Sequence, residues 1–176
     1  MAEEKLPYTE TINSIFTARR DLMFASKWAI EGSKFTMEQA DLLVALYGVK
    51  VLGWDDLKED KDGYVPYRQL EKFLVHNPSL LSRRIIKLAN AKPPLVVVKD
   101  GDVAAGQHFN SKRVCLTEQG VKAIAPVWKR YETMAEKLLQ DTDAGEREIH
   151  YKVNNEISSR IRLIRGGLSA LLSGEV

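Results

Sequence analysis

Residues 75–90 read Val-His-Asn-Pro-Ser-Leu-Leu-Ser-Arg-Arg-Ile-Ile-Lys-Leu-Ala-Asn, and this stretch decides how the rest of the chain is interpreted. The Asn77 side chain can accept free amide protons of a starting helix, and Pro78 occupies a helical position where a missing N–H costs nothing. Apolar residues then recur at spacings of four and three: Leu81, Ile85 and Leu88. The stretch therefore predicts a helix that begins at Asn77 and packs one face against a core.

The opposite face of this predicted helix is polar and basic. Small hydroxyl side chains come first and long cations follow: Ser79, Ser82, Arg83 and Lys87, with Arg84 at the margin. Such groups near the start of a helix can read base edges in the major groove of DNA, and cations further along can meet phosphates. A solvated amphipathic helix has the same pattern, so this stretch alone leaves both interpretations open.

Composition bounds the class of protein. A chain of 176 residues with 44% hydrophobic and 28% charged residues is typical of one globular domain, with or without helical extensions. The formal net charge is only +2, so the total does not point to nucleic acid. Residues 68–92, however, hold six Lys and Arg against Glu71 alone, a local charge of +5, and they follow an acidic stretch at 55–62. The surface is therefore expected to be polarised.

The sequence also favours one cellular location. Its single cysteine, Cys115, excludes an internal disulfide and is typical of a reducing compartment. No apolar run is long enough to span a bilayer, and the first residues lack the hydrophobic core of an export signal. We therefore expect a cytoplasmic protein without a membrane partner.

Helical periodicity organises the chain before the basic helix. It predicts a long first helix over residues 8–31, ended by Gly32, and a second helix over 36–52 that opens with the spacing of a capping box. Residues 53–63 are too charged for a core and indicate an exposed loop. Pro66 is expected to open a short helix over 67–75, so that two helices joined by one residue form a helix-turn-helix.

A hairpin and two long helices are predicted after the basic helix. Residues 95–98 are a β-branched run and 112–116 a returning strand, which adds a wing to the helix-turn-helix. Thr117 is expected to cap a helix of about six turns. Asp143 and Glu146 can cap a last helix, in which apolar residues follow a near-heptad spacing: Val153, Ile157, Ile161, Ile164, Leu168 and Leu171.

With these elements in order, the chain resembles the MarR family of winged-helix transcription regulators. Two stretches carry the likeness: Leu80-Leu-Ser-Arg-Arg-Ile-Ile-Lys-Leu88 on the basic helix, and Arg113-Val-Cys-Leu-Thr-Glu-Gln-Gly120 where the wing ends. The expected fold is mainly α with a small β hairpin. Residues 1–34 would form an N-terminal dimerisation helix, 35–116 the winged helix-turn-helix and 117–176 the C-terminal dimerisation helices.

The resemblance implies a homodimeric, sequence-specific DNA-binding regulator of an inverted-repeat operator, since two-fold symmetric proteins recognise symmetric sites. By matching position, the residues facing bases would be Ser79, Leu80, Ser82 and Arg83. Arg84 and Lys87 would lie nearer phosphates, and Lys99, Lys112 and Arg113 would act from the wing. The resemblance further implies a small aromatic or lipophilic effector, for which the aromatic residues near the joint of the first helices are candidates: Trp28, Tyr47 and Trp54. Core packing is the alternative role of these three.

The wing departs from the family pattern of Asp-x-Arg before its second strand, because His108 and Asn110 stand at those positions. The usual minor-groove arginine is therefore missing. With the low net charge, this keeps a second hypothesis open, in which the winged helix is a protein-interaction module that does not read DNA.

Metal, cofactor and catalytic sites are not expected. Residues 60–65 resemble the middle of an EF-hand loop, but that register puts Lys58 at the first ligand and Gln69 where the closing carboxylate belongs. The three histidines have no partners at metal-ligand spacing: His76, His108 and His150. No nucleophile and base pair or phosphate-binding glycine loop can be assembled, so we expect no enzymatic activity.

Overall fold

A computed structural model of the chain describes residues 17, 20, 21, 23–74, 77–100, 112–149, 151–153 and 156. The helices are α1 (23–30), α2 (Met37–Leu52), α3 (Tyr67–Leu74), α4 (Pro78–Ala89), α5 (Glu118–Leu139) and α6 (144–149, with 151–153 also helical). The strands are β1 (Val65–Pro66), β2 (Val96–Lys99) and β3 (Arg113–Leu116). The predicted class, mainly α with a small β element in a winged helix, is confirmed.

Several predictions concern residues outside this description. They are the start of the first helix at 8–16, the wing loop with His108 and Asn110, and the apolar seam of the last helix beyond Val153. The chain divides into two compact units, of which the first ends at Thr133 and the second begins at Met134. No helix of the described segments is both long and apolar enough to cross a membrane.

The predicted helix starts are confirmed by their caps. Thr36 and Gln39 form a reciprocal capping box at α2, and the Asn77 side chain accepts from the Ser79 backbone N–H, with Pro78 in the first turn of α4. Asp143 and Glu146 accept from each other's backbone N–H at 2.9 Å in both directions before α6. These contacts join residues two or three positions apart, so short-range sequence patterns suffice to predict them.

The sheet has three strands rather than the predicted two. Its order is β1-β3-β2, all antiparallel, and Val65 lies opposite Val114 while Val96 lies opposite Leu116. Pro66 was expected to open a helix; instead it ends β1, and α3 begins one residue later. A proline without an N–H fits here because β1 is an edge strand.

The core lies between α2, α3, α4, the sheet and α5. Leu81, Ile85 and Leu88 of α4 are all buried, as their spacing predicted. They pack in one cluster with Leu42, Leu43, Leu46, Leu70, Val96, Val114, Leu116, Ile124 and other apolar residues. The winged helix and the first turns of α5 therefore share a single core.

The charged loop between α2 and β1, residues 53–64 and here called the acidic loop, also contributes to this core. Leu57 is only 2% exposed and belongs to the same cluster. The prediction that this segment is merely an exposed loop was wrong at Leu57. One leucine among charged residues has no periodicity, so only the folded structure reveals that it anchors the loop.

Candidate nucleic-acid interface

The solvent-facing side of α4 is defined by helical geometry. With successive residues about 100° apart, the face opposite the buried stripe is centred on Arg83 and Asn90. It also carries Ser79 and Ile86 on one side and Leu80 and Lys87 on the other, and all six are exposed. Ser82 and Arg84 are half-buried at the margins. Of the predicted base-facing residues, Ser79, Leu80 and Arg83 thus project most fully from the fold.

The start of α4 is organised by its cap. The Ser79 hydroxyl donates to Asn77 Oδ1 at 2.7 Å, and the Ser79 backbone N–H donates to the same atom at 3.0 Å. Arg83 Nε lies 3.4 Å from the Ser79 carbonyl oxygen one turn back. These contacts hold a hydroxyl and a guanidinium close together near the exposed end of α4.

Arg84 has a different environment from Arg83. Its Nη2 lies 3.5 Å from Glu38 Oε1 at the start of α2, and its side chain is 23% exposed. Nearby, burial and then the Glu38 charge raise the pKa of Asp41, while Arg84 opposes them. Arg84 therefore connects α4 to α2, which agrees with the structural alternative to its phosphate contact.

The cations at the base of the wing are ion-paired. Arg113 Nη1 lies 2.7 Å from Asp60 Oδ2, and Lys99 Nζ lies 3.0 Å from Asp62 Oδ2. Asp60 also accepts from the Tyr64 backbone N–H at 3.0 Å, and this bond, ahead of the one from Arg113, lowers the pKa of Asp60. The acidic loop thus neutralises two of the three cations predicted to bind DNA from the wing, whereas Lys112 is exposed.

The part of the acidic loop that resembles an EF-hand is closed by protein groups. Gln69 Oε1 accepts from the Lys58 backbone N–H at 2.8 Å, which joins the two positions where a calcium site would need carboxylates. Within the described ranges no group of three or more His, Cys, Asp or Glu side chains has the geometry to hold a metal ion.

Two of the three proposed effector-binding aromatics meet in one cluster. The Tyr47 and Trp54 rings lie 6.1 Å and 5.6 Å from the ring of Trp128 on α5. Trp128 Nε1 donates to Glu132 at 2.7 Å, which lowers the pKa of that carboxyl. Trp28 does not share these ring contacts and is 43% exposed. The cluster gives Tyr47 and Trp54 a packing partner that the sequence did not suggest.

A separate cavity of about 810 Å³ lies between the turn after α1, the end of α4 and the first half of α5. Its apolar wall includes Phe35, Leu88, Leu95 and Val127, and no acidic residue lines it. Five cations do: Lys34, Lys87, Lys92, Lys122 and Arg130. None of Trp28, Tyr47 and Trp54 lines this cavity. Arg130 also donates to the backbone carbonyl oxygens of Ala29 and Glu31, so α5 is tied to the end of α1.

The exposed face of α4 includes Ile86 and Asn90, which sequence reasoning did not include. The pair Ile85-Ile86 held the signal, because neighbours about 100° apart cannot both point into the core. The cations of the cavity carried no such signal, because they come from four separate segments of the chain.

Comparison with known proteins supports this architecture. No protein-family model matches the sequence, and no curated protein sequence matches it. Among solved structures, the chain is similar to a MarR family transcriptional regulator from Silicibacter pomeroyi, with 19% identity, coverage of 88% of this chain and 90% of that one, and a TM-score of 0.62.

Two further structures agree. A MarR family transcriptional regulator from Streptomyces coelicolor is 16% identical, with 89% and 96% of the two chains covered and a TM-score of 0.62. A MepR variant from S. aureus is 16% identical, with 89% and 99% covered and a TM-score of 0.57. At these identities the likeness concerns the fold, which is the winged-helix fold of MarR-family transcription regulators.

Proposed function

From this shared fold, we propose that the chain is a homodimeric, sequence-specific DNA-binding transcription regulator that places α4 in the major groove. The exposed face of α4 carries the proposal. It presents Ser79, Arg83, Lys87 and Asn90 to solvent from a helix without an acidic residue. Among the residues that the structure describes, neither Arg83 nor Lys87 forms an ion pair.

Affinity is expected to depend on α4 more than on the wing. Lys and Arg side chains that release counterions from phosphates supply much of protein–DNA affinity. Lys99 and Arg113 are already held by Asp62 and Asp60, so their contacts with phosphate would require those ion pairs to break. Lys112 is the exposed cation of the described wing.

Apolar side chains on the second unit support a homodimer. Leu138, Ile149, Tyr151 and Val153 are between 49% and 69% exposed on α5 and the helical residues that follow. Large apolar groups at neighbouring helical positions are typical of surfaces that another chain covers. A second copy of the chain would bury them and place two copies of α4 about one turn of DNA apart.

Selection of duplexes from a random pool by the full chain, followed by mobility shift at several salt concentrations, tests the proposal. We expect an enriched inverted repeat and affinity that falls steeply with salt. Arg83→Ala should weaken binding to the selected duplex about tenfold, the effect of one lost base contact, whereas Arg20→Ala should bind as the wild type. Arg20 is the matched control because it is an exposed arginine on the first helix.

Two results would oppose the proposal. Binding that is unchanged in Arg83→Ala would remove α4 as the reading helix. Failure to prefer any duplex over random DNA, together with a protein that co-purifies with the chain, would favour the alternative of a protein-interaction module.

For effector control, the cavity is the better-supported site, and the ligand it fits is an organic anion with an apolar body. Five cations around an apolar wall favour such a molecule, because a neutral lipophile would leave the cationic rim unmatched. The cavity lies between the end of α4 and the start of α5, so an occupant would contact both helices. Trp28, Tyr47 and Trp54 stay the alternative site.

The effector proposal can be tested with 2-naphthoate and its neutral amide. We expect the acid, but not the amide, to raise the melting temperature and to change affinity for the selected duplex. Lys122→Ala should weaken this response, and Lys61→Ala, an exposed lysine of the acidic loop, should leave it unchanged. A response that survives in Lys122→Ala but disappears in Trp54→Phe would move the site to the aromatic residues.

A further inference from the structure

Two large apolar side chains stand on the exposed face of α4 and contribute nothing to the core. Leu80 is 40% exposed and Ile86 is 48% exposed, although Leu81 and Ile85 beside them are buried. The core of the winged helix is complete without them. Their position on the face that carries Arg83 calls for a role in what that face contacts.

Helical geometry places these two side chains on either side of Arg83. The three positions are three residues apart, so each step turns by about 60° from perfect alignment and rises about 4.5 Å. Leu80 therefore flanks Arg83 toward the start of the helix and Ile86 flanks it toward the end. The two apolar groups are separated by about 9 Å along the axis, which corresponds to two or three base-pair steps of about 3.4 Å.

The chemistry of the major groove restricts what such groups can meet. Leucine and isoleucine neither donate nor accept hydrogen bonds, so they gain nothing from phosphates or from the polar edges of guanine, cytosine and adenine. The apolar group that the groove offers is the 5-methyl of thymine. An arginine between them is suited to the O6 and N7 acceptors of guanine.

We propose that Leu80 and Ile86 read thymine methyl groups on the two sides of a guanine bound by Arg83. Each half-site would then contain a guanine flanked by T·A or A·T pairs within about four base pairs. This inference rests on the proposed function and adds the base composition of the site, with Ile86 as a specificity-determining residue.

The test removes one methyl group at a time. Duplexes selected from a random pool by the full-length chain are remade with deoxyuridine in place of each thymine, which deletes the methyl and keeps the base pairing. We expect one or two substitutions beside the guanine to weaken binding about fourfold each, the effect of leaving one methyl-sized group unburied.

Protein variants connect each methyl to a side chain. In Ile86→Ala, one of these deoxyuridine penalties should disappear while the other persists, and Leu80→Ala should show the reverse, as coupled pairs do in a double-mutant cycle. Val51→Ala is the matched control, because Val51 is also 48% exposed but lies on α2. It should retain both penalties. Circular dichroism melting checks that each variant is folded.

The possible outcomes separate this inference from the proposed function. Selective binding with no deoxyuridine penalty, or with penalties unchanged in both variants, overturns the thymine reading and leaves a DNA-binding regulator. The absence of any selective duplex overturns both. Penalties lost in the matching variants support both.

Discussion

Arg113 Nη1 lies 2.7 Å from Asp60 Oδ2, and this ion pair joins the central strand of the wing to the acidic loop 53 positions earlier in the chain. Both side chains are largely shielded, at 27% and 18% exposure. Its neighbour Lys112 is exposed. Two consecutive cations therefore have different environments, one within the fold and one facing solvent.

This difference gives a prediction about consecutive substitutions. Arg113→Ala should lower the melting temperature, since Asp60 loses its cationic partner, and should change the salt dependence of DNA binding little. Lys112→Ala should leave the melting temperature unchanged and reduce the slope of log affinity against log salt by about one, as expected for one lost phosphate contact. Thermal melting and salt titrations of both variants provide the measurements. The reverse pattern would mean that Arg113 leaves Asp60 when DNA binds.

Acid sensitivity should depend on Asp60. Because its pKa is lowered in the folded chain, first by the Tyr64 N–H and then by Arg113, the ionised carboxylate stabilises the fold at neutral pH. That contribution is lost as the pH falls below about 4, the ordinary value in the unfolded chain, and on through the lower folded value. We expect the melting temperature of the wild type to fall more steeply than that of Asp60→Asn between about pH 5 and pH 3. Asp55→Asn, an exposed carboxylate of the same loop, is the control and should follow the wild type.

Leu57 should stabilise the protein as strongly as a residue of the helical core. Its side chain is 2% exposed, so Leu57→Ala removes buried contacts and leaves a cavity. We expect the free energy of unfolding in urea to fall by about 2–5 kcal/mol. Leu52→Ala, at a leucine that is 39% exposed, should have a much smaller effect. Equal effects of the two substitutions would contradict the anchoring role of Leu57.

Gly48 should resist even the smallest enlargement. It is buried in α2, and a Cβ at this position would overlap the indole of Trp54. Gly48→Ala should therefore displace that indole from Trp128, lower the melting temperature and shift the tryptophan fluorescence, although alanine favours helices. In the Trp54→Ala background the same substitution should cost little, and this coupling is the measurement that distinguishes overlap from a general helix effect. Additive effects would exclude the overlap.

The sequence predicted those parts of the fold whose causes are local. The caps at Thr36 and Asn77 depend on residues two or three positions away, and the buried stripe of α4 depends on helical period. Strand β1 was missed because two residues do not establish a period, and Val65 becomes a strand residue only through its pairing with Val114.

The candidate site was predictable to a lesser degree, and for a related reason. The basic helix was identified from its composition, but composition could not show that Arg84 faces Glu38 while Arg83 faces solvent. Nor could it pair Arg113 with Asp60, because a carboxylate chooses among cations by geometry in the folded chain. The cavity is the extreme case, since its cations come together only when α1, α4 and α5 are assembled.

The hydroxyl of Thr117 has a consequence for finding distant relatives of this chain. It accepts from the Gly120 N–H at 2.9 Å, and it lies 2.8 Å and 3.0 Å from the carbonyl oxygens of Pro94 and Leu95. Apolar neighbours such as Val114 and Leu116 can be exchanged for other apolar residues of similar volume. Only serine or threonine reproduces this set of contacts from position 117. In sequences too divergent for overall identity to be informative, a hydroxyl residue three positions before a glycine, directly after a short strand, should therefore persist longer than the apolar pattern around it.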